Sequence, residues 1–232
     1  MHPVLFEIGP FTIRTYGVML AIAFGVGFSL MYREAKRKCF YPDKILDLQM
    51  CIVVFGILGA RLFHVLLHFG AYRNSPLEIF MLWKGGLAFQ GGLFLAFLSC
   101  WIYVRKQKLP LFKLADFMIP YVALGHSIGR IGCYFNGCCF GNSAAFPTQI
   151  LSSLGLLFIF IVLKMLEKKK PFDGFIIGAY FVLYATMRFF VDFLRADLTP
   201  CAMGFTVSQF ISGGFFLLGI LIFIMGRKNA KL

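Results

Sequence analysis

The chain has 232 residues, 59% hydrophobic and only 14% charged, with a mean hydropathy of +0.81. That composition excludes an ordinary soluble domain and a disordered chain, and is that of a polytopic membrane protein. A formal net charge of +13 would suggest nucleic acid in a soluble protein, but the basic residues cluster in the loops on one side of the apolar spans, so the charge marks topology and nucleic acid is excluded as a partner. No linker, repeat or low-complexity run divides the chain, so residues 1–232 are expected to form one integral-membrane domain.

Seven apolar stretches, 15–32, 45–69, 86–104, 111–132, 147–167, 172–194 and 205–226, each approach the ~20 residues that a bilayer requires. They predict an all-α protein of seven transmembrane helices. With alternating loops, sixteen basic residues fall on one side, including Arg33, Lys36, Arg105, Lys113, Lys164, Lys168, Arg227 and Lys231. Four, Arg14, Arg73, Lys84 and Arg195, fall on the other. The positive-inside rule then places the N-terminus outside and the C-terminus in the cytoplasm. The first residues have no basic start, short apolar core and small-residue cleavage site, so they are expected to be retained.

The first span opens at Thr15, Tyr16 and Gly17, with the tyrosine where interfacial aromatic rings usually sit. In the second, Arg61, His64 and His68 recur at three and four residues and form a polar stripe that should face the bundle interior. Residues 83–92 hold four glycines and Gln90 where the chain re-enters the membrane, and such backbone can be irregular only where protein or water satisfies it. Asp116, near the inner boundary, reads as a local charge partner. Residues 125–141 combine Gly125, Gly129 and Gly132 with His126, Arg130, Asn136, three cysteines and Gly141. The fifth span starts at Pro147, Thr148 and Gln149. On the sixth, Tyr184, Arg188, Asp192 and Arg195 share one face, and the seventh opens with Thr206, Val207, Ser208 and Gln209.

At ~1.5 Å per residue, Arg61, Arg130 and Arg188 lie about 24, 28 and 24 Å from the cytoplasmic ends of their spans. They share one depth in the outer leaflet, with Tyr16, Gln90 and Gln209 at the same level. Any one of these arginines alone would read as snorkelling to the headgroups or pairing with Asp192. Three together exceed what Asp192 can neutralise and point to a phosphate-like anion, for which arginine is the better bidentate ligand.

The seven cysteines show no CxxC spacing. Cys133, Cys138, Cys139 and Cys201 fall on the outer side, where a disulfide could persist, and Cys39, Cys51 and Cys100 read as inert thiols. Cys133, Cys138, Cys139 and His126 match no common zinc spacing, so disulfide or packing roles are expected there, with no metal and no cofactor.

These residues resemble those of the prolipoprotein diacylglyceryl transferase family. The resemblance covers most of the chain and is strongest in Gly129, Arg130, Ile131, Gly132, Asn136, Gly137 and Gly141, and in Arg188, Phe189, Asp192, Phe193 and Arg195. It continues through Tyr16 and Gly17, Gly59, Ala60 and Arg61, Gly85 and Gly86, Gly91 and Gly92, Asp116, Pro147 to Gln149, and Ser208 and Gln209. It implies a bacterial inner-membrane enzyme, active toward the outer leaflet, that moves the diacylglyceryl group of phosphatidylglycerol to the lipobox cysteine thiol beside the signal peptide of a prolipoprotein, releasing glycerol phosphate. By position, Arg130, Arg188 and Gln90 would be catalytic, the two arginines holding the phosphate and stabilising the departing oxygen. Tyr16, Arg61, His64, Asn136 and Gly141 would contribute to substrate binding, while Asp192 and Arg195 orient Arg188.

The chain departs from the family pattern at Gln90, where the family usually has a histidine thought to act as base, and an amide cannot take a proton at neutral pH. Cys133 and Cys138 replace the usual asparagine and glutamate, and Phe146 a histidine. His64 or His126 would supply a base, or the cationic field would generate the thiolate without one. The alternative reading is a paralogous membrane transferase with the same phospholipid donor and a different acceptor. A transporter is disfavoured because the intramembrane charge lies near one face and no inverted repeat occurs.

Overall fold

The computed structural model describes residues 4–8, 11–73, 75–81, 85–141, 147–197, 199, 201 and 204–229. A hairpin of β1 (Val4–Ile8) and β2 (Phe11–Arg14), absent from the sequence expectation, precedes the first helix. The remaining elements are helical: α1 (Thr15–Arg37), α2 (Pro42–Leu67), the short α3 (Phe69–Tyr72), α4 (Phe89–Lys106), α5 (Leu111–Asn136), α6 (Thr148–Leu166), α7 (Phe175–Asp192) and α8 (Val207–Asn229). Single 3-10 turns occur at Pro76–Phe80 and Glu167–Lys169.

Among the described residues five helices, α1, α2, α6 with its following turn, α7 and α8, are long and apolar enough to cross a membrane. In α4 and α5, Gln90, Arg105 and Lys106, and Lys113, Asp116, His126 and Arg130, dilute the apolar content. Phe94, Phe97, Phe158, Leu217 and Ile224 are all more than half exposed. So much large apolar surface is sustainable only against lipid, and the chain is an all-helical, multi-pass membrane protein apart from its hairpin. Helix α1 outruns the apolar stretch that predicted it and ends on Lys36 and Arg37, cations that suit the negative end of a helix. Helix α4 starts later than predicted, because Gly85 and Gly86 take φ of 82° and 76°.

The chain forms two compact units. One comprises Glu7–Thr12 and Tyr32–Pro110 and is built on the α2–α4 pair. These helices cross backbone to backbone: a Cβ on Gly59 would collide with the Gly91 carbonyl and Leu95, and one on Gly91 with Phe63 and the Gly59 carbonyl. Small residues permit such an approach, and dispersion between the backbones then holds the crossing. The Ala88 amide donates to the Ala60 carbonyl at 2.9 Å and fixes the entry into α4.

The other unit comprises Met1–Phe6, Ile13–Met31 and Leu111–Leu232. Its core is Ala123, Ile159, Leu163, Ile176, Ala179 and Tyr180 from α5, α6 and α7. Ser127 and Ser153 donate to each other's backbone carbonyls at 2.8 and 2.9 Å, tying α5 to α6 in an apolar setting where an unpaired hydroxyl would be costly. Asp116 accepts from the Gly174 and Ile177 amides at 2.8 and 3.0 Å, and Lys170 Nζ lies 3.6 Å away. The expected charge partner is thus also the cap of α7, its carboxylate meeting the positive end of that helix.

Candidate functional site

Within the larger unit, α5 and α7 supply the polar layer. Arg130 Nε donates to His126 Nε2 at 3.3 Å, one turn back on α5. Nε2 therefore accepts, which leaves the proton of a neutral imidazole on Nδ1. The Arg130 guanidinium makes no other hydrogen bond among the described residues, so its terminal nitrogens are available to a ligand. The His126 ring also meets Tyr184 of α7 at a centroid distance of 5.7 Å.

On α7, Arg188 Nη2 lies 3.1 Å from Asp192 Oδ1 and its Nε donates to Ser208 Oγ at 3.2 Å. Arg195 Nη1 approaches the same Asp192 oxygen at 3.9 Å. Neither buried Asp192 oxygen has an aligned hydrogen bond among the described residues. The short separation and the misalignment together describe an ion pair held by charge, in which Asp192 restrains both arginines. Arg195 is itself clamped by Asp197, which accepts at 2.8 and 2.6 Å in the bidentate arrangement that suits a guanidinium. That bond holds the Asp197 carboxyl below the usual carboxylate range. Sequence reasoning missed Asp197; its only signal was a carboxylate two residues beyond Arg195, after the helix.

Three guanidiniums, Arg130, Arg188 and Arg195, face two carboxylates, Asp192 and Asp197. The excess is positive and half-buried, which is the charge balance of an anion site. Gly141 pairs with Arg195 as an isolated antiparallel bridge, so the loop after α5 is tied to the end of α7. Tyr16 packs on α5, where a Cβ on Gly132 would meet its ring at 3.2 Å, while Asn136 is exposed at the last residue of α5.

All seven cysteines are free thiols. The sulfurs of Cys133, Cys138 and Cys139 nevertheless lie within 4.8 Å of one another. Cys139, outside the helices, is held below the ordinary thiol range, first by the Cys133 thiol and then by Arg195 and Arg130, against the opposing effect of burial.

Two glutamines have other duties. Gln209 Oε1 accepts from the Thr206 amide at 2.9 Å and the Gln209 amide donates to Thr206 Oγ1 at 3.3 Å. This reciprocal capping box starts α8 and removes Gln209 from the ligand layer expected from its depth. Gln149 Nε2 donates to the Cys138 carbonyl at 2.8 Å.

In the smaller unit, Arg61 is buried and its donors are committed to backbone: Nε to Ile79, Nη1 to Gly85 and Gly86, and Nη2 to Glu78 and Met81. Its guanidinium also lies over the Tyr72 ring at 5.3 Å. To bind phosphate it would have to surrender some of these carbonyls, so the structure gives it the task of organising the loop before α4. A Cβ on Gly86 would meet His64 Nε2 at 2.7 Å and Arg61 Nη1 at 2.8 Å, and its φ of 76° independently requires glycine. His64 stacks on His68 at 4.4 Å, but His68 is exposed just past the end of α2, so of the stripe expected to face the interior only Arg61 is buried. Gln90 lies on the first turn of α4, exposed. Phe146 lies outside the described residues.

Comparison with known proteins bears on the whole chain. The family model of prolipoprotein diacylglyceryl transferase matches residues 3–225. The chain is 30% identical over 242 residues to the phosphatidylglycerol–prolipoprotein diacylglyceryl transferase of Finegoldia magna, covering 99% of this chain and 97% of that protein. The enzyme of the same name from Clostridium kluyveri is 31% identical over 253 residues, covering 100% and 99%. That from Lactobacillus johnsonii is 28% identical over 257 residues, covering 100% and 92%. The Arg130 and Arg188 layer belongs to a chain matched along almost its full length, and the protein is a member of the prolipoprotein diacylglyceryl transferase family.

Proposed function

We propose that this protein transfers the diacylglyceryl group of phosphatidylglycerol to the lipobox cysteine thiol of a prolipoprotein. The carrying observation is the positive layer of Arg130, Arg188 and Arg195, with Arg130's terminal nitrogens open to an anion. In the reaction the thiol loses its proton, the sulfur bonds to the glyceryl carbon that carried the phosphate, and that carbon–oxygen bond breaks. The electron pair departs on glycerol phosphate. Charge grows on the leaving phosphate oxygen, where Arg130 and Arg188 stabilise it without reorganising. Asp192, Arg195 and Ser208 hold Arg188 in place, and neutral His126 orients Arg130. His126 Nε2 is occupied as an acceptor, so it is a positioning residue in this reading rather than the base.

The family match spans both compact units, which supports one transferase domain over residues 1–232. The basic asymmetry of the loops supports seven spans in the bacterial inner membrane, with the N-terminus and the arginine layer outward and the C-terminus cytoplasmic. Gln90, Cys133 and Cys138 favour one second reading: the same lipid donor with a different acceptor.

Expression in cells depleted of their own prolipoprotein diacylglyceryl transferase tests both. Restored growth and lipid-modified lipoprotein are expected from the parent chain, and unmodified lipoprotein would leave only the second reading. Arg130→Ala and Arg188→Ala should each abolish rescue, since stranding charge in a buried phosphate site costs ~3 kcal/mol or more, over a hundredfold in rate. Full rescue by either variant at normal membrane levels removes the headgroup assignment.

A further inference from the structure

Cys133, Cys138 and Cys139 perform no step in the transfer just described, yet the chain holds their sulfurs within 4.8 Å of one another. Helix α5 carries Cys133 and ends at Asn136. Gly137, at φ 73°, turns the chain back, and the Cys138 amide and Sγ both reach the Cys133 carbonyl, at 3.2 and 3.7 Å. Two side chains at the start of α6, each 2% exposed, then pin the backbone: Thr148 Oγ1 donates to the Cys139 carbonyl at 2.7 Å and Gln149 Nε2 to that of Cys138 at 2.8 Å. Cys139 itself takes φ 60°, a left-handed conformation uncommon outside glycine. Two residues on, Gly141 is bridged to Arg195. Buried polar side chains thus fix the backbone that carries Cys138 and Cys139, and with it the placement of both thiols.

The distances fit an ion. Thiolates bound tetrahedrally at ~2.3 Å sit roughly 3.8 Å apart, so closure requires sulfur movements of no more than about 1 Å. Three soft thiolates without a carboxylate select zinc-class ions over magnesium or calcium. Three protein ligands leave the fourth position of a tetrahedral ion open.

We propose that Cys133, Cys138 and Cys139 form a three-thiolate site for a zinc-class divalent ion, whose fourth position receives the acceptor thiol. The second clause rests on the function proposed above. A coordinated thiol is deprotonated outright: its proton passes to solvent, its sulfur pair forms the new bond to carbon, and the broken carbon–oxygen pair leaves on glycerol phosphate. The ion keeps its oxidation state. Coordination would thus supply the thiolate that Gln90, lacking a basic nitrogen, cannot generate.

Reduced, metal-stripped, full-length protein in detergent is titrated with Co²⁺. About one ion per chain should bind, with thiolate-to-cobalt charge-transfer absorption. Cys138→Ser should weaken binding by about a hundredfold and the Cys133→Ser, Cys138→Ser, Cys139→Ser triple variant should abolish it, whereas Cys39→Ser with Cys201→Ser leaves it intact. A peptide with a single cysteine should shift the cobalt bands, and its serine counterpart should not. Substoichiometric binding, binding unchanged by Cys138→Ser, or a disulfide among the three in protein isolated anaerobically overturns the site. A spectrum indifferent to the thiol peptide overturns the role of the fourth position. Rescue of lipoprotein modification, measured separately, reports whether lipid transfer itself stands.

Discussion

Gln90 illustrates how much one side chain can decide. It stands exposed on the first turn of α4, where the resemblance implies a histidine as the usual residue, and an amide can hydrogen-bond a phosphate or a thiol without removing a proton. Gln90→His should raise the transfer rate near neutral pH, by at most the ~10²- to 10⁴-fold of general-base catalysis, and flatten the pH profile. Loss of transfer would give Gln90 a recognition role, and an unchanged rate and profile would remove it from the chemistry. Arg61 shows the opposite case. Its depth suggested a phosphate ligand, yet its donors go to the carbonyls of Glu78, Ile79, Met81, Gly85 and Gly86. Residue type and depth do not reveal which acceptors a folded loop will bring to a guanidinium.

Among the elements, the α2–α4 crossing depends on the absence of side chains. Gly59 and Gly91 each occupy space that the other's backbone would claim, and in lipid no hydrophobic drive replaces lost backbone contact. Gly91→Leu should therefore separate the pair and lower the thermal midpoint of detergent-purified protein, at a cost of ~1 to 3 kcal/mol for overpacking. Gly70→Leu, at a glycine with open space around it, is the control. An unchanged midpoint for Gly91→Leu would contradict the close crossing. The glycines were legible as small residues, but which of them face a partner backbone depends on the rotation of each helix about its axis. The capping box of Thr206 and Gln209 was legible in principle, as a Thr-x-x-Gln spacing ahead of an apolar run; depth drew attention to Gln209 as a ligand instead.

For the whole molecule, the proposed orientation gives a direct test. Cys39 and Cys201 are both exposed, so sidedness rather than burial decides which of them an impermeant thiol reagent reaches. In sealed cells Cys201 should label and Cys39 should not, and the reverse result would invert the topology. The sequence by itself determined the helical, membrane-spanning class, the approximate bounds of the long helices and the face on which Arg188 meets Asp192. Apolar length, helical periodicity and charge asymmetry are local properties that a bilayer reads directly. Only the tertiary structure decided that Asp197 clamps Arg195, that Ser208 holds Arg188, that Arg61 organises a loop and that three cysteines without a recognised spacing share one point. Those outcomes depend on where loops return and which helix faces meet, and they are set by packing and by the need to satisfy buried polar groups across elements far apart in the chain.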